Sequence, residues 1–405
     1  MWVWHTETKS LRCVLPLLTI EVVQIDGQLK VIARGAVKEL RNDSSDPKNL
    51  GELLVCLDRW LEESTLTASG IIGSECRSLL EEKLDWVTDS SLISEQIRGE
   101  SLVFVMQAGN TEEFIALEEG RRQEENCPLP PAFINHFLIN EQIVEEVHQV
   151  VTHGLEIRQR LDIDHLVVSV RFPVSVNADL LSSWLDSVKT LFPQGFLMNS
   201  HNWNLVSCTP ERFISIADSK LQVQILAGTF KKDTDFDKSS VMEEHQTARN
   251  TLRSILEDLV GELELTVDRN LVAFDEIRHY HSVFEKPHLS DTSMLSTLAH
   301  LTPSPATGTQ DSHTQFTIQQ LEGRTRGYYG GCFFLRTPGS LESLVSIRSI
   351  FHLENSEVGE MIVGAGLTKG STLSSESVEL ILKATSCAKL LGVNTISAKG
   401  IYLTK

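Results

Sequence analysis

Apolar positions return with two different periods along this chain, and the second half is the more regular. Between roughly 139 and 161 they recur every three to four residues, which predicts a long helix. The apolar run HLVVSVRFPV (165–174) predicts a strand directly after it, and LLSSWLDSVKTLF (180–192) another helix. Strands are predicted near 204–207, 212–217 and 221–227. A helix follows over about 238–260, with the apolar stripe Ala248, Leu252, Ile255, Leu256 and Leu259. The stretch 277–312 reads as loop-rich, with prolines around Thr302. Two long strands (about 330–336 and 343–353), a strand near 360–363 and a helix over about 374–391 complete the chain.

The first 125 residues mix strand and helix. LGELLVCLDRWLEE (50–63) has a helical period, the N-terminus reads as a strand pair, and SLVFVMQAG (101–109) with EEFIALEEG (112–120) predicts a hairpin. RRQEENCPLPPAF (121–133), charged and then proline-rich, reads as a connector. The organisation expected is an N-terminal portion, 1–125, and a denser portion, 134–405, both in one large α+β body.

Composition narrows the class. With 405 residues, 41% of them hydrophobic, the chain can bury a large core. Its formal charge of −19 repels nucleic acid and anionic membrane, so neither is expected as a partner. The same field repels an anionic substrate, and a site for one must gather cations locally. The seven cysteines are odd in number and scattered, with no Cys-x-x-Cys, which points to reduced thiols in a cytoplasm. The N-terminus lacks a basic n-region, and no uninterrupted apolar stretch reaches membrane-spanning length.

Candidate chemistry concentrates late in the chain. In GAGLTKGSTLSSESVELILKATSCAKLLG, Glu376, Glu379 and Lys383 share one helix face. Spacing alone favours a solvated face with a Glu–Lys ion pair. The preceding Gly364, Ala365 and Gly366 change the balance, because small residues let backbone amides approach an anion. Glu244 lies four residues before Ala248 and extends the inward stripe of its helix, where a carboxylate is costly unless paired or metal-bound. A first-turn acid complementing the helix dipole is an equal alternative. Two carboxylates with a third from elsewhere form an oxygen set suited to Mg²⁺. Arg348, placed inside the alternating run SLVSIRSIF, is either a solvent-facing side chain or a bidentate carboxylate clamp. Glu211, in SCTPERFISI, stands at the start of a strand, where a loop-end acid can face a pocket or simply close a turn. LAGT (226–229) offers Ala227, Gly228 and Thr229 at a strand end.

Taken together in order, TPER, LAGT, EH, a His before a PxPA segment, YYGG, IRS, GAG and the E-x-x-E-x-x-x-K helix resemble the chorismate-utilising enzymes over roughly 134–392. The form of LAGT and of TPSPA (302–306) is most similar to isochorismate synthases. The resemblance implies a two-sheet α/β sandwich of the anthranilate synthase large-subunit type with helices outside. It implies Mg²⁺ held by Glu244, Glu376 and Glu379, and chorismate as the partner of a monomer or homodimer. Arg348, Lys383 and the Gly364–Gly366 backbone would bind its carboxylate, with Ala227, Gly228, Thr229 and His279 also lining the site; His281 is close enough in sequence to be confused with His279. Glu211 would be the general acid at the departing C4 hydroxyl. The product, isochorismate, would feed quinone or siderophore synthesis.

The chain also departs from that pattern. Isochorismate synthases begin one strand Lys-Val-Val, and the Lys activates the attacking water. The best register puts Leu166 there, with His165 adjacent. His165, or a group the sequence does not name, would then activate the water: His165 has a suitable ordinary pKa for a base, but neighbours on a strand face opposite sides, so a shift or bulge would be needed to present it. Ser240 replaces an expected Lys four residues before Glu244, Thr302 the first residue of the HPTPA form, and Ile362 a Tyr before GAG. The order of expectation is isochorismate formation, then an amination yielding anthranilate or aminodeoxychorismate, then binding without catalysis.

Overall fold

A computed structural model of the chain describes residues 1–6, 10–13, 15–35, 47–87, 97–113, 137–175, 194–200, 202–231, 238–274, 277–289, 293–308, 311–354, 356–390 and 396–398. The connector expected over 121–133 and the helix expected over 180–192 lie outside these residues.

Two large sheets stack face to face. One has eight strands, in spatial order Leu166–Ser175, Val358–Leu367, Ser349–Leu353, Trp203–Ser207, Gly195–Asn199, Trp2–His5, Ser10–Cys13 and Glu112–Glu113. The other has eleven: Glu264–Phe274, Ile277–Lys286, Lys220–Lys231, Arg212–Ala217, Ser340–Val345, Cys332–Thr337, Thr67–Ile72, Leu102–Gly109, Leu18–Ile25, Gln28–Gly35 and Leu84–Val87. Both sheets take strands from the N-terminal portion and from the rest. A short parallel pair joins Phe137–Ile139 to Ile396–Ala398.

Alternation explains the layering. In Leu166–Ser175, residues Leu166, Val168, Val170, Phe172 and Val174 enter an outer core, packed under the helices α2 (Glu141–Arg160) and α6 (Leu373–Leu390). Gly154 of α2 sits so close to the sheet that a Cβ there would come within 2.7 Å of Val168 Cγ1. The second outer core lies on the eleven-stranded sheet, under α1 (Leu50–Ser64), α3 (Lys238–Val260) and α4 (Met294–Leu301). α1 buries Leu50, Leu53, Leu54, Leu57 and Leu61, and Asn49 caps it by accepting the Glu52 amide at 2.8 Å. Between the sheets lies an aromatic core that includes Trp2, Trp4, Phe196, Trp203, Tyr328, Phe333 and Phe351. This is the expected two-sheet body with helices outside; α5 (Ser312–Glu322) completes the six α-helices among the described residues.

Four expectations are corrected. The run 343–353 is not one strand: Ser340–Val345 belongs to the larger sheet and Ser349–Leu353 to the smaller, and the chain crosses between sheets at 346–348. The hairpin expected from 101–109 and 112–120 is not formed by the described part, since Leu102–Gly109 pairs with Leu18–Ile25 and Thr67–Ile72 while Glu112–Glu113 joins the other sheet; residues 114–120 lie outside the described residues. The stretch 277–312 contains a ten-residue strand and the helix α4 rather than loop alone. Within α3, Leu259 leaves the predicted stripe and is 38% exposed.

Candidate active site

The candidate residues lie on or beside seven strands, and the region they share is the candidate cleft: β1 (Leu166–Ser175), β2 (Arg212–Ala217), β3 (Lys220–Lys231), β4 (Ile277–Lys286), β5 (Ser340–Val345), β6 (Ser349–Leu353) and β7 (Val358–Leu367).

Arg348 sits on the crossing between sheets. Its φ is +52°, in the left-handed region that few side chains other than glycine adopt. The crossing is tied down on both sides: Cys208 N–H donates to Arg348 O at 3.3 Å, and Ser346 N–H to Gly331 O at 2.8 Å. Burial holds the guanidinium below its usual pKa, opposed by Cys387, Glu211 and Cys208. It therefore points among these groups rather than outward.

Glu211 immediately precedes β2. Its carbonyl accepts the Val345 amide at 2.8 Å and its own amide donates to Thr209 Oγ1 at 3.3 Å. Burial pushes its carboxyl up to about 7, against the pull of Arg348 and Lys383. His279 on β4 is 6% exposed and pushed down to about 3 by burial, Arg348 and Lys383. It is thus neutral and in the field of both cations. His281 instead pairs with Gln224 Oε1 at 3.2 Å, so His279 is the histidine that belongs to the cleft.

The LAGT segment acts through α3. Ala227 accepts His245 Nδ1 at 3.2 Å, and His245 Nε2 meets Ser282 Oγ at 2.9 Å, which ties α3 to β3 and β4. Gly228 has φ +74°, a Cβ there would overlap the Val241 carbonyl, and its amide donates to the Glu244 carboxylate. Thr229 pairs through its backbone with His279. These residues place Glu244 at the cleft, on the inward face expected from Ala248.

Along β7, Gly364 and Gly366 face the cleft while Ala365 is 1% exposed in the outer core. A Cβ at 364 would overlap the Tyr329 hydroxyl, and one at 366 would overlap His165 Nε2 and lie 3.2 Å from Glu244 Oε1. Only glycine lets these side chains pass over the strand. β6 pairs with β7 only from Gly359 to Met361, which leaves that edge uncovered at the glycines among the described residues.

His165 reaches the site without the shift or bulge that the sequence reading required. β1 pairs with β7 without interruption from Leu166↔Leu367 to Ser175↔Val358, with no bulge. Leu166 is 1% exposed in the outer core, so alternation turns His165 into the cleft. Its side chain is 9% exposed, with Nε2 3.9 Å from Glu244 Oε1, and burial, reinforced by Lys383, pushes it down to about 4.

On α6 the three predicted residues share a face. Lys383 Nζ meets Glu379 Oε1 at 2.6 Å and donates to Gly364 O at 3.1 Å. Burial alone would lower the ammonium, but Glu379, Tyr329 and Glu244 outweigh it and raise it. Burial and then Glu379 raise the Glu376 carboxyl; its Oε1 accepts Ser375 Oγ at 3.1 Å, and its Oε2 is buried with no hydrogen-bond partner. Glu244 is pushed up to about 8 by burial, Glu379 and Glu376, with Lys383 and the Gly228 amide opposing.

The sequence model for chorismate binding enzymes matches residues 140–389. The chain belongs to that family. Among curated proteins it is similar to anthranilate synthase component 1 of Bacillus subtilis (24% identical, covering 57% of this chain and 48% of the relative). It is also similar to a putative aminodeoxychorismate synthase of Schizosaccharomyces pombe (25% identical, 47% and 28%). The chain spans about half the length, or less, of the curated relatives it matches. Among solved structures it resembles a putative 2,3-dihydroxybenzoate-specific isochorismate synthase from Bacillus anthracis, at TM-score 0.69 and 15% identity over 97% of this chain and 96% of that one. Anthranilate synthase component I from Streptococcus pneumoniae follows at TM-score 0.66 and 16% identity, over 93% and 91%. These likenesses establish the sandwich fold.

A member of this family raises the question of a divalent ion. The donor chemistry fits: burial and then neighbouring carboxylates raise both Glu244 and Glu376, and a buried Glu376 oxygen has no donor. The donors are not drawn together, however. Among the described residues no three His, Cys, Asp or Glu side chains are grouped to hold a metal as they stand. Glu379 leans instead on Lys383. Sequence reasoning also passed over Tyr329, whose hydroxyl hangs against Gly364, and Arg326, whose guanidinium lies 5.9 Å from the Tyr329 ring centroid. The signal was the pair of tyrosines in YYGG, read as a motif without a role.

Proposed function

We propose that this chain is a magnesium-dependent isochorismate synthase, adding water at C2 of chorismate as the C4 hydroxyl leaves. The observation that carries the reading is His165: neutral, largely buried, and turned into the cleft 3.9 Å from Glu244. In this reading it takes a proton from the attacking water. Glu211, with its carboxyl at about 7, is still substantially protonated near neutral pH and gives its proton to the departing C4 oxygen. A C2–O bond forms, the C4–O bond breaks, and the ring double bonds shift, so no redox partner is needed. Arg348 and the backbone at Gly364–Gly366 hold the side-chain carboxylate of the substrate. His279 and the Ala227–Thr229 segment border the ring. Glu244, Glu376 and Glu379 would hold Mg²⁺, which would offset the charge of the ring carboxylate.

The experiment is direct. Purified protein is incubated with chorismate and Mg²⁺, with and without ammonium, and products are separated chromatographically. Isochorismate in both, lost in Glu211→Gln, is the expected result. No consumption of chorismate by wild type, or equal rates in Glu211→Gln, overturns it. A second reading, amination, is favoured by the curated relatives, which are anthranilate synthase components and a putative aminodeoxychorismate synthase. It predicts product only with ammonium. Binding without turnover would mark a non-catalytic chorismate-binding protein.

A further inference from the structure

All the candidate site residues lie after residue 164, yet a carboxylate of the N-terminal portion is buried against the segment that builds the cleft. Glu75 is 4% exposed. Its Oε1 accepts the Arg326 amide at 2.7 Å and its Oε2 the Gly327 amide at 3.1 Å. The surrounding backbone is interlocked: Ser74 N–H donates to Gly327 O at 2.9 Å and Tyr328 N–H to Gly99 O at 3.2 Å. Gly327 has φ +55°, and a Cβ there would overlap the Gly99 carbonyl.

From Arg326 the bonds continue to the cleft. Its Nη2 donates to Val167 O at 2.7 Å and to Glu322 Oε1 at 2.6 Å, and its Nη1 to Thr307 O at 3.0 Å. Glu322 Oε1 also accepts the Ser169 amide at 2.7 Å. Val167 and Ser169 share the cleft face of β1 with His165 and pair with Gly366 and Gly364. The turn that Glu75 holds goes on to Tyr329, over Gly364.

We infer that Glu75 is a positioning residue for the cleft: through Arg326 it sets β1, and with it His165, and through the turn backbone it sets Tyr329 over Gly364. A carboxylate can accept both amides at once. A glutamine has one acceptor oxygen and would turn an N–H₂ toward the other amide. Asp58 provides a matched control. It too is a buried N-terminal carboxylate, 6% exposed, accepting the Leu295 amide at 2.7 Å and pairing with Arg336 Nε at 2.9 Å, with no bond toward the cleft.

Hydrogen exchange on the full chain compares wild type, Glu75→Gln and Asp58→Asn, alongside chorismate affinity by calorimetry. Peptides covering 163–170 and 324–331 are expected to exchange about tenfold faster in Glu75→Gln, as befits loss of a charged hydrogen bond, and unchanged in Asp58→Asn. Chorismate is expected to bind about tenfold more weakly to Glu75→Gln alone. Unchanged exchange over 163–170 in Glu75→Gln, or equal acceleration in Asp58→Asn, overturns the inference. If Glu75→Gln does not fold, Glu75→Asp, one methylene shorter, is read the same way. The affinity arm rests on the proposed chorismate site. Failure of wild type to bind chorismate therefore counts against that proposal, while exchange alone still decides the role of Glu75.

Discussion

A single methyl group at residue 366 separates the construction of the cleft from the stability of the fold. Gly366 is not among the glycines with positive φ, so alanine is acceptable to the backbone there and loses less chain entropy on folding. That gain is about 0.4–1 kcal/mol. Against it, the methyl would overlap His165 Nε2 and lie 3.2 Å from Glu244 Oε1. Overpacking of this kind costs about 1–3 kcal/mol. Both neighbours are ends of side chains, which can swing away, so the net loss in Gly366→Ala should be about 2 kcal/mol or less. The chemistry should suffer more, because moving a reacting group by about 1 Å can cost about a hundredfold in rate. Gly364→Ala is the contrast: its methyl would meet the Tyr329 hydroxyl and also the Val168 carbonyl at 3.0 Å, and the latter is sheet backbone that cannot swing. Thermal melts and kcat/KM for chorismate on both variants are the assay. Gly364→Ala should melt lower than Gly366→Ala, and Gly366→Ala should lose turnover out of proportion to its stability. Wild-type turnover in a Gly366→Ala protein that melts like wild type would refute the placement of His165.

Three other outcomes follow from the site. Glu211→Gln should reduce kcat about a hundredfold or more, and wild-type kcat should fall as pH rises through about 7, where the acid loses its proton; a flat profile from 6 to 8 refutes that role. Stability of the metal-free protein should fall as pH rises from about 6.5 toward about 8, because folded Glu211 and Glu244 keep protons that the unfolded chain has released; below 6.5 the buried neutral His165 and His279 oppose that trend. Chemical denaturation at several pH values checks this, and saturating Mg²⁺ should flatten the slope. Lys383→Met frees Glu379 from its 2.6 Å ion pair, so calorimetry with Mg²⁺ alone should show tighter binding than wild type; equal affinity would mean that Lys383 does not compete for the carboxylate.

Sequence periodicity is a statement about neighbours, and it succeeded where neighbours decide. The helix over 238–260, the pairing of Glu379 with Lys383 and the inward face of Glu244 all follow from spacing within one element. It failed at Arg348 because SLVSIRSIF keeps a strand-like alternation while the chain leaves one sheet for the other, and the left-handed φ that marks the crossing has no glycine to announce it. The strand Ile277–Lys286 was hidden because Arg278, His279, His281, Glu285 and Lys286 break the apolar run. His165 was expected to need a shift or bulge to serve as the base, because the family motif put Leu166 at the functional position, whereas the burial of Leu166 decides which side of β1 meets the cleft. Glu75 and Arg326, 251 residues apart, share no local signal at all.

The electrostatics of the cleft bear on how such a site could accept an anion at all. The chain carries −19 overall, and the cleft itself sets Glu211, Glu244, Glu376 and Glu379 against Arg348 and Lys383. Burial raises both Glu211 and Glu244, and at Glu244 the neighbouring Glu379 and Glu376 add to it, so protons held there relieve part of this excess near neutral pH. A substrate with two carboxylates would add to the burden unless a divalent cation arrived with it. If the proposed reaction is correct, cation and substrate must therefore strengthen each other's binding, and by linkage the strengthening is equal in both directions. Lys383 gives that coupling a structural route: an ion that takes Glu379 leaves the ammonium, already bonded to Gly364 O at 3.1 Å, on the edge of β7 where the substrate's carboxylate would lie. Chorismate affinity that is the same with and without Mg²⁺ would contradict this account of the cleft.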